Sequence, residues 1–214
     1  MPANAVALLL AIGDEEFARA GASSSVLALW RPRFKRAAHW FIDYDTARRK
    51  QILRSAVEQT AKLELKSSSG TFALTGRADR IDLFADGTAT VVDYKTGRMP
   101  GHKEVDTLLS PQLPLEAAML LGGNFADLKA KTIRELLYIQ LTGGEPPAKE
   151  RAIKVVPDAK AAEALVLLRK LIADYGEQST PYPSRVHPFN EKDLGDYDHL
   201  ARVREWSVYG EGGE

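Results

Sequence analysis

The first apolar run, "AVALLLAIG", passes into the acidic "DEE" and predicts an amphipathic helix over residues 4–20. "GASSS" (21–25) breaks it, and its serines suit the cap of a second helix. From about Val26 to Leu63 the pattern stays helical, with Pro32 an interruption or restart. Trp40, Phe41, Tyr44, Ile52, Ala56 and Val57 form its expected buried stripe. "SSSG" (67–70) reads as a turn between short strands. Two further strands follow, hinged at Asp86-Gly87. A loop, "GRMPGHKEVDTLLSPQ", leads into a helix over about 112–121. "TIRELLYIQLTG" (132–143) alternates and ends in a glycine pair, as a strand does, and "ERAIKVVP" (150–157) is placed to pair with it. "DAKAAEALVLLRKLIADYG" (158–176) is the clearest helix, opened by an aspartate cap and closed by glycine. From Glu177 the chain turns rich in Pro, Tyr and charge, and predicts an extended tail with one short helix near 198–207. Helices, a strand cluster, a helix, two strands and a helix imply an α/β fold, a central mixed β-sheet flanked by helices. The expected division is an N-terminal helix and linker (1–25), a core (26–180) and the tail (181–214).

Composition narrows the classes. At 214 residues, 44% apolar and 27% charged, the chain suits one ordinary soluble domain with an appendage. It has no apolar run long enough to span a bilayer, and its N-terminal apolar run lacks the basic flank of a signal peptide. With no cysteine, disulfides, thiolate zinc sites and iron–sulfur clusters are excluded, and a cytoplasmic location is expected. Net charge is zero, so bulk charge selects no partner. Its distribution says more: Arg31, Arg33, Lys35, Arg36, Arg48, Arg49, Lys50 and Arg54 face only Asp43 and Asp45. That segment offers either a basic face to a polyanion or a solvated helix surface.

The segment "LTGRADRIDLFADGTATVVDYKTG" (74–97) sets Asp79, Asp93 and Lys95 on predicted strands, where charge is costly unless paired or metal-bound. Two hairpin registers compete. With a two-residue loop, Ala85 faces Thr88, Asp79 lies across from Tyr94, and the two aspartates point to opposite faces. With a three-residue loop, Gly87 takes the left-handed position, Phe84 faces Thr88, Asp79 faces Asp93, and Arg77 faces Lys95. Facing Cβ atoms would then lie roughly 4.5–5.5 Å apart. Two such carboxylates repel unless they share a proton or hold a divalent cation. Oxygen ligands favour Mg²⁺ or Mn²⁺, and the lack of cysteine or a nearby histidine pair argues against zinc. Lys95 shares the Asp93 face, and a metal beside a lysine is chemistry for phosphodiester hydrolysis. The competing reading neutralises Asp79 and Asp93 with Arg77, Arg80 and Lys95 in a structural ion network.

"GRADRID…VVDYKTG" resembles the signature of the PD-(D/E)XK nuclease superfamily in its RecB-type form, G-x-x-D, a short hairpin, then D-Y-K. Gly76, Asp79, Asp93, Tyr94 and Lys95 match it. "PQLPLEAAML" resembles the glutamine motif of that family, with Gln112 in place. Together with "GDYDHLARVREWS", it resembles the nuclease domain of AddB subunits of AddAB helicase–nucleases, in the branch without an iron–sulfur cluster. The resemblance implies a restriction-endonuclease-like core over 26–180. It implies Mg²⁺ or Mn²⁺ at Asp79, Asp93 and the Tyr94 main-chain carbonyl, with Lys95 catalytic. Gln112 would position water or the DNA backbone, and Arg77 is a candidate DNA contact. It further implies exonuclease action in double-strand-break resection beside an AddA-like helicase–nuclease subunit, with no membrane partner.

Two departures stand out. No histidine follows a glycine at G-x-x-x-H spacing ahead of the hairpin; His39 in "RAAHWF" lacks the glycine. This favours a portion cut from a longer chain, and an alternative role as a catalytically incomplete DNA-binding or subunit-docking module. Glu116 stands where the glutamine motif often carries tyrosine. A small nuclease acting on RNA is a third reading. Among other residues, Glu64 reads as a solvated strand position and Asp82 as the partner of a basic residue. Arg80 reads as neutralising aspartates, Gly97 as permitting a turn, and His187 and His199 as surface. Trp30 and Trp40 read as core rather than base-stacking.

Overall fold

The computed structural model of the chain describes residues 1–68 and 70–181. Its elements are α1 (Ala5–Arg19), α2 (Ser24–Arg49), β1 (Arg54–Ser67), β2 (Gly70–Leu83), β3 (Thr88–Lys95), α3 (His102–Asp106), α4 (Gln112–Leu121), β4 (Thr132–Leu141), β5 (Ala148–Ala152) and α5 (Pro157–Gly176). The strands form one sheet in the order β1-β2-β3-β4-β5. Neighbours run antiparallel except β3 and β4, which are parallel. A parallel pair needs a crossover, and α3 and α4 supply it. The result is the mixed sheet flanked by helices that the sequence implies.

Alternation of side chains along the strands gives the sheet two different faces. Ile81, Val91, Leu136 and Tyr138 join Leu113 and Met119 of α4 and Ala161 of α5 in the main core. On the other face Val92, Leu137 and Ile139 meet Trp40 and Tyr44 of α2. Each aliphatic side chain fully buried this way contributes about 1.5–3 kcal/mol. Along β3, Asp93 and Lys95 therefore share the α4 face with Val91, while Tyr94 shares the α2 face with Val92.

Several expectations are corrected. The long helix stops at Arg49, and residues 54–67 are strand. Ile52, Ala56 and Val57 fit helical spacing, but the 54–67 segment pairs with β2 along its length, from Arg54↔Leu83 to Ser67↔Gly70. Val57 is 57% exposed and leaves the stripe. The strands flanking the 67–70 turn are long, not short. Helix α2 also runs unbroken through Pro32. The hydrogen bond lost there is offset from outside the helix: Phe34 packs edge-on against Phe17 of α1, and Arg36 Nε donates to the Gly143 carbonyl at 2.7 Å. Trp30 is 45% exposed, with the Arg33 guanidinium 5.9 Å from its ring centroid, so it is not core. Asp158 does not cap α5, whose N-cap is Val156. It accepts from Ile133 N at 2.7 Å and from the Thr132 hydroxyl, fastening α5 to β4. The expected tail helix near 198–207, His187, His199 and "GDYDHLARVREWS" lie outside the described residues. Among the described residues, no helix is long and apolar enough to cross a membrane.

Candidate active site

The hairpin adopts the three-residue loop. Phe84 N donates to Thr88 O at 2.9 Å, Gly87 N donates to Phe84 O at 3.0 Å, and Gly87 has φ +84°. Glycine meets that left-handed position without steric cost. The β2–β3 ladder runs from Leu83↔Ala89 to Arg80↔Val92 and ends there. Beyond it, Tyr94 N donates to Asp79 Oδ2 at 2.9 Å, so a side chain joins the strands where their backbones part. On β1, Glu58 has φ +52° and falls between the pairs Val57↔Arg80 and Gln59↔Ala78. The outer strand thus kinks opposite Asp79. Because pairing stops at Arg80, Arg77 does not face Lys95 as the extended register predicts. Its Nε lies 3.0 Å from Glu58 Oε2, in an exposed ion pair.

Asp93 is 1% exposed and forms the centre of the cluster. Lys95 Nζ lies 3.0 Å from its Oδ1 and 2.8 Å from its Oδ2. Gln112, the first residue of α4, donates through Nε2 to Asp93 Oδ1 at 2.6 Å and accepts from Lys95 Nζ through Oε1 at 3.1 Å. Gln112 Nε2 also donates to Glu116 Oε1 at 3.1 Å. Below, Lys95 Nζ sits 5.9 Å from the centroid of the buried Tyr138 ring. Burial raises the Asp93 carboxyl above its ordinary value; Lys95 opposes the shift and the charge of Asp79 adds to it. Burial also pushes Glu116 up to about 7; its bond to Gln112 opposes this, while the charges of Asp93 and Asp79 reinforce it.

The sequence-predicted residues Asp79, Asp93, Lys95 and Gln112 thus come together, while Arg77 sits apart on the β1–β2 hairpin. The Tyr94 side chain turns to the other face, where its hydroxyl accepts from Arg80 at 3.2 Å, leaving only its main chain toward Asp79. Asp79, Asp93 and the Tyr94 carbonyl offer oxygen alone, a donor set that suits Mg²⁺ or Mn²⁺. Asp93 Oδ2 is buried with no aligned hydrogen bond and only the Lys95 ammonium against it at 2.8 Å, so one of its lone pairs would remain for a cation. Among the described residues no group of three or more His, Asp or Glu side chains is arranged to hold a metal, so water would fill the rest of the shell. Sequence reasoning saw Glu116 only as a departure from a motif. The available signal was an acid one helical turn after Gln112 in the otherwise apolar "LPLEAAML".

Of the expected ion network, the Asp93–Lys95 pair is present, but Arg77 and Arg80 pair elsewhere, and a larger network forms around other aspartates. Arg80 donates to Asp82 and to Asp45 at 2.7 Å each. Arg48 Nε lies 3.2 Å from Asp82, and its Nη2 lies 3.2 Å from Glu135. Glu64 is exposed and pairs with Lys62 at 2.7 Å, as a solvated strand position does.

A model described as the PD-(D/E)XK nuclease superfamily matches residues 2–187. An uncharacterized protein of Rickettsia bellii is 27% identical over 80% of this chain and 22% of its own length. Uncharacterized protein RC0550 of Rickettsia conorii is 32% identical over 81% of this chain and 23% of its own. The chain therefore spans less than a quarter of these relatives. A solved structure titled "Crystal structure of SSO0001" aligns over 76% of this chain and 70% of its own, at 14% identity and a TM-score of 0.32.

Proposed function

Because the chain belongs to the PD-(D/E)XK nuclease superfamily, we propose that it hydrolyses phosphodiester bonds of DNA with Mg²⁺ or Mn²⁺ held at Asp79, Asp93 and the Tyr94 carbonyl. The observation that carries this reading is the hydrogen-bonded cluster of Asp93, Lys95 and Gln112 where β2 leaves β3, with Asp79 on the Tyr94 N–H and near enough for its charge to act on Asp93. When bound, the cation supplies a polarised phosphoryl oxygen and an acidified water. The Lys95 ammonium stabilises charge developing on the phosphate, and Gln112 holds that ammonium in place. Along the β1–β2 hairpin, an open groove of about 600 Å³ is lined by Thr60, Ala61, Lys62, Thr75, Gly76, Arg77, Asn124 and Ala126. Its two cations suit a phosphate backbone.

In the finer reading, the chain is the exonuclease part of an AddB-type subunit that resects double-strand breaks in the cytoplasm beside an AddA-like partner. That reading is supported by the likeness of "PQLPLEAAML" and "GDYDHLARVREWS" to such subunits.

The test uses labelled single-stranded DNA, duplex DNA and RNA, with Mg²⁺, Mn²⁺ or chelator. DNA cleavage is expected only with a cation, and Asp79→Ala, Asp93→Ala and Lys95→Ala should each lower it about 10²–10⁴-fold while circular dichroism stays unchanged. Retained cleavage by a folded Asp93→Ala protein overturns the site. Salt-sensitive DNA binding with no hydrolysis at any metal concentration makes the chain a binding or docking module instead. Cleavage of RNA alone transfers the site to another substrate.

A further inference from the structure

We propose that Glu116 is a positioning residue: it fixes the orientation of the Gln112 amide, so that this one side chain holds Asp93 and Lys95 in register. The inference rests on the nuclease reading above. Glu116 is 4% exposed, in a stretch of α4 whose neighbours Leu113, Ala117, Met119 and Leu120 are all buried apolar residues. An acid has no packing reason to stand there, and burying one away from a cation of its own is costly. Its Oε2 has no hydrogen-bond partner among the described protein atoms, so Gln112 is the group it addresses.

The two ends of an amide are chemically distinct, one donating and one accepting. In Gln112 the donating end meets two carboxylates, Asp93 and Glu116, and the accepting end meets the Lys95 ammonium. A flipped amide would set its oxygen against both carboxylates and its NH₂ against the ammonium. The match of donors to acceptors therefore selects one orientation. Asp93 selects it from the sheet, and Glu116 selects it a second time from the helix that carries Gln112. Without Glu116, the amide keeps a single carboxylate, and the link between Asp93 and Lys95 loosens.

The experiment has two arms, on the full chain. In the metal-free protein, the side-chain amide signals of Gln112 are followed by ¹⁵N–¹H NMR. Glu116→Ala should shift and broaden them. Glu116→Gln, which still offers an acceptor, should leave them near wild type. In the second arm, with saturating Mn²⁺ and labelled DNA, Glu116→Ala should lower kcat about ten- to a hundredfold with KM unchanged, and Glu116→Gln should recover all but about threefold. Should the alanine variant fail to fold, Glu116→Leu fills the apolar layer and takes its place. Unmoved amide signals overturn the proposal, as does a Glu116→Gln protein as slow as Glu116→Ala, which would assign the charge rather than the acceptor. If wild type cleaves nothing, the nuclease reading falls on its own, and the amide signals alone decide whether Glu116 holds Gln112.

Discussion

One β-hairpin delivers charge to both faces of the sheet, and the two faces settle it differently. Toward α2, the carboxylates of Asp45, Asp82 and Glu135 meet the guanidiniums of Arg48, Arg49 and Arg80, three against three. Toward α4, the carboxylates of Asp79, Asp93 and Glu116 gather near the ammonium of Lys95, the one cation that pairs with them among the described residues, which leaves negative charge in excess even where Glu116 keeps its proton. The titration shifts follow the balance. Burial works to raise Asp45, yet its hydrogen bonds from Arg49 and Arg80 carry it below its ordinary value. On the α4 face Asp93 and Glu116 rise. Where charge serves only the fold it is matched in full. Where it is left short, the deficit falls at the residues proposed above to hold a divalent cation.

The largest effect should come from unbalancing the matched face. Arg80 is 3% exposed, and Arg80→Ala strands Asp45 and Asp82 as buried charges. Urea denaturation should show a loss of about 3–5 kcal/mol. A loss below about 1 kcal/mol would mean that the two faces are no differently compensated, which breaks the comparison. On the other face the sign reverses. Asp93→Asn gives up the Lys95 ion pair but lowers the excess of negative charge, so the metal-free protein should be as stable as wild type or more so, while cleavage is lost.

How much of this was legible in the sequence follows the range of the interactions. Asp79, Asp93, Lys95 and Gln112 lie within a short stretch, and the turn at Gly87 chooses between only two registers, so local chemistry and the motif found them. The matched face was not legible as a unit. Arg48 reaches Asp82 across 34 positions and Glu135 across 87, and no spacing rule spans such distances. Arg77 was placed opposite Lys95 because β2 and β3 were read as a pair. The departure of β2 after Arg80 coincides with the kink at Glu58 of β1, a strand that the helical pattern of Ile52, Ala56 and Val57 had hidden. Pattern decides between helix and strand only until sheet pairing overrides it.

The next effect is smaller and sharpens the comparison through pH. The Glu116 carboxyl moves from 4.5 to about 7 on folding. Between those values the folded protein keeps a proton that the unfolded chain has released. Stability should therefore fall as pH rises from about 4.5 to about 7, by on the order of 1–3 kcal/mol, and Glu116→Gln should flatten the slope. Asp45, held low, acts in the opposite sense: its contribution is present above its ordinary 3.8 and is lost as pH falls. Denaturation midpoints measured across this range, without metal, separate the two faces. Added Mg²⁺ or Mn²⁺ should remove the Glu116 slope, because a bound cation replaces the proton as the compensating charge.

The smallest effect belongs to Arg77, which lies on neither face of the comparison. Its side chain is 65% exposed and its pair with Glu58 is solvated, so Arg77→Ala should change stability by less than about 1 kcal/mol. Binding is where it should register. If the phosphate backbone follows the groove beside Gly76, Arg77→Ala weakens DNA binding about equally for all sequences and lowers the salt slope by about one. Glu58→Ala releases the guanidinium from its ion pair and should tighten binding in the same assay. Unchanged salt slopes in both variants would move the DNA path off this groove, leaving Arg77 and Glu58 as a surface pair at the kink opposite Asp79.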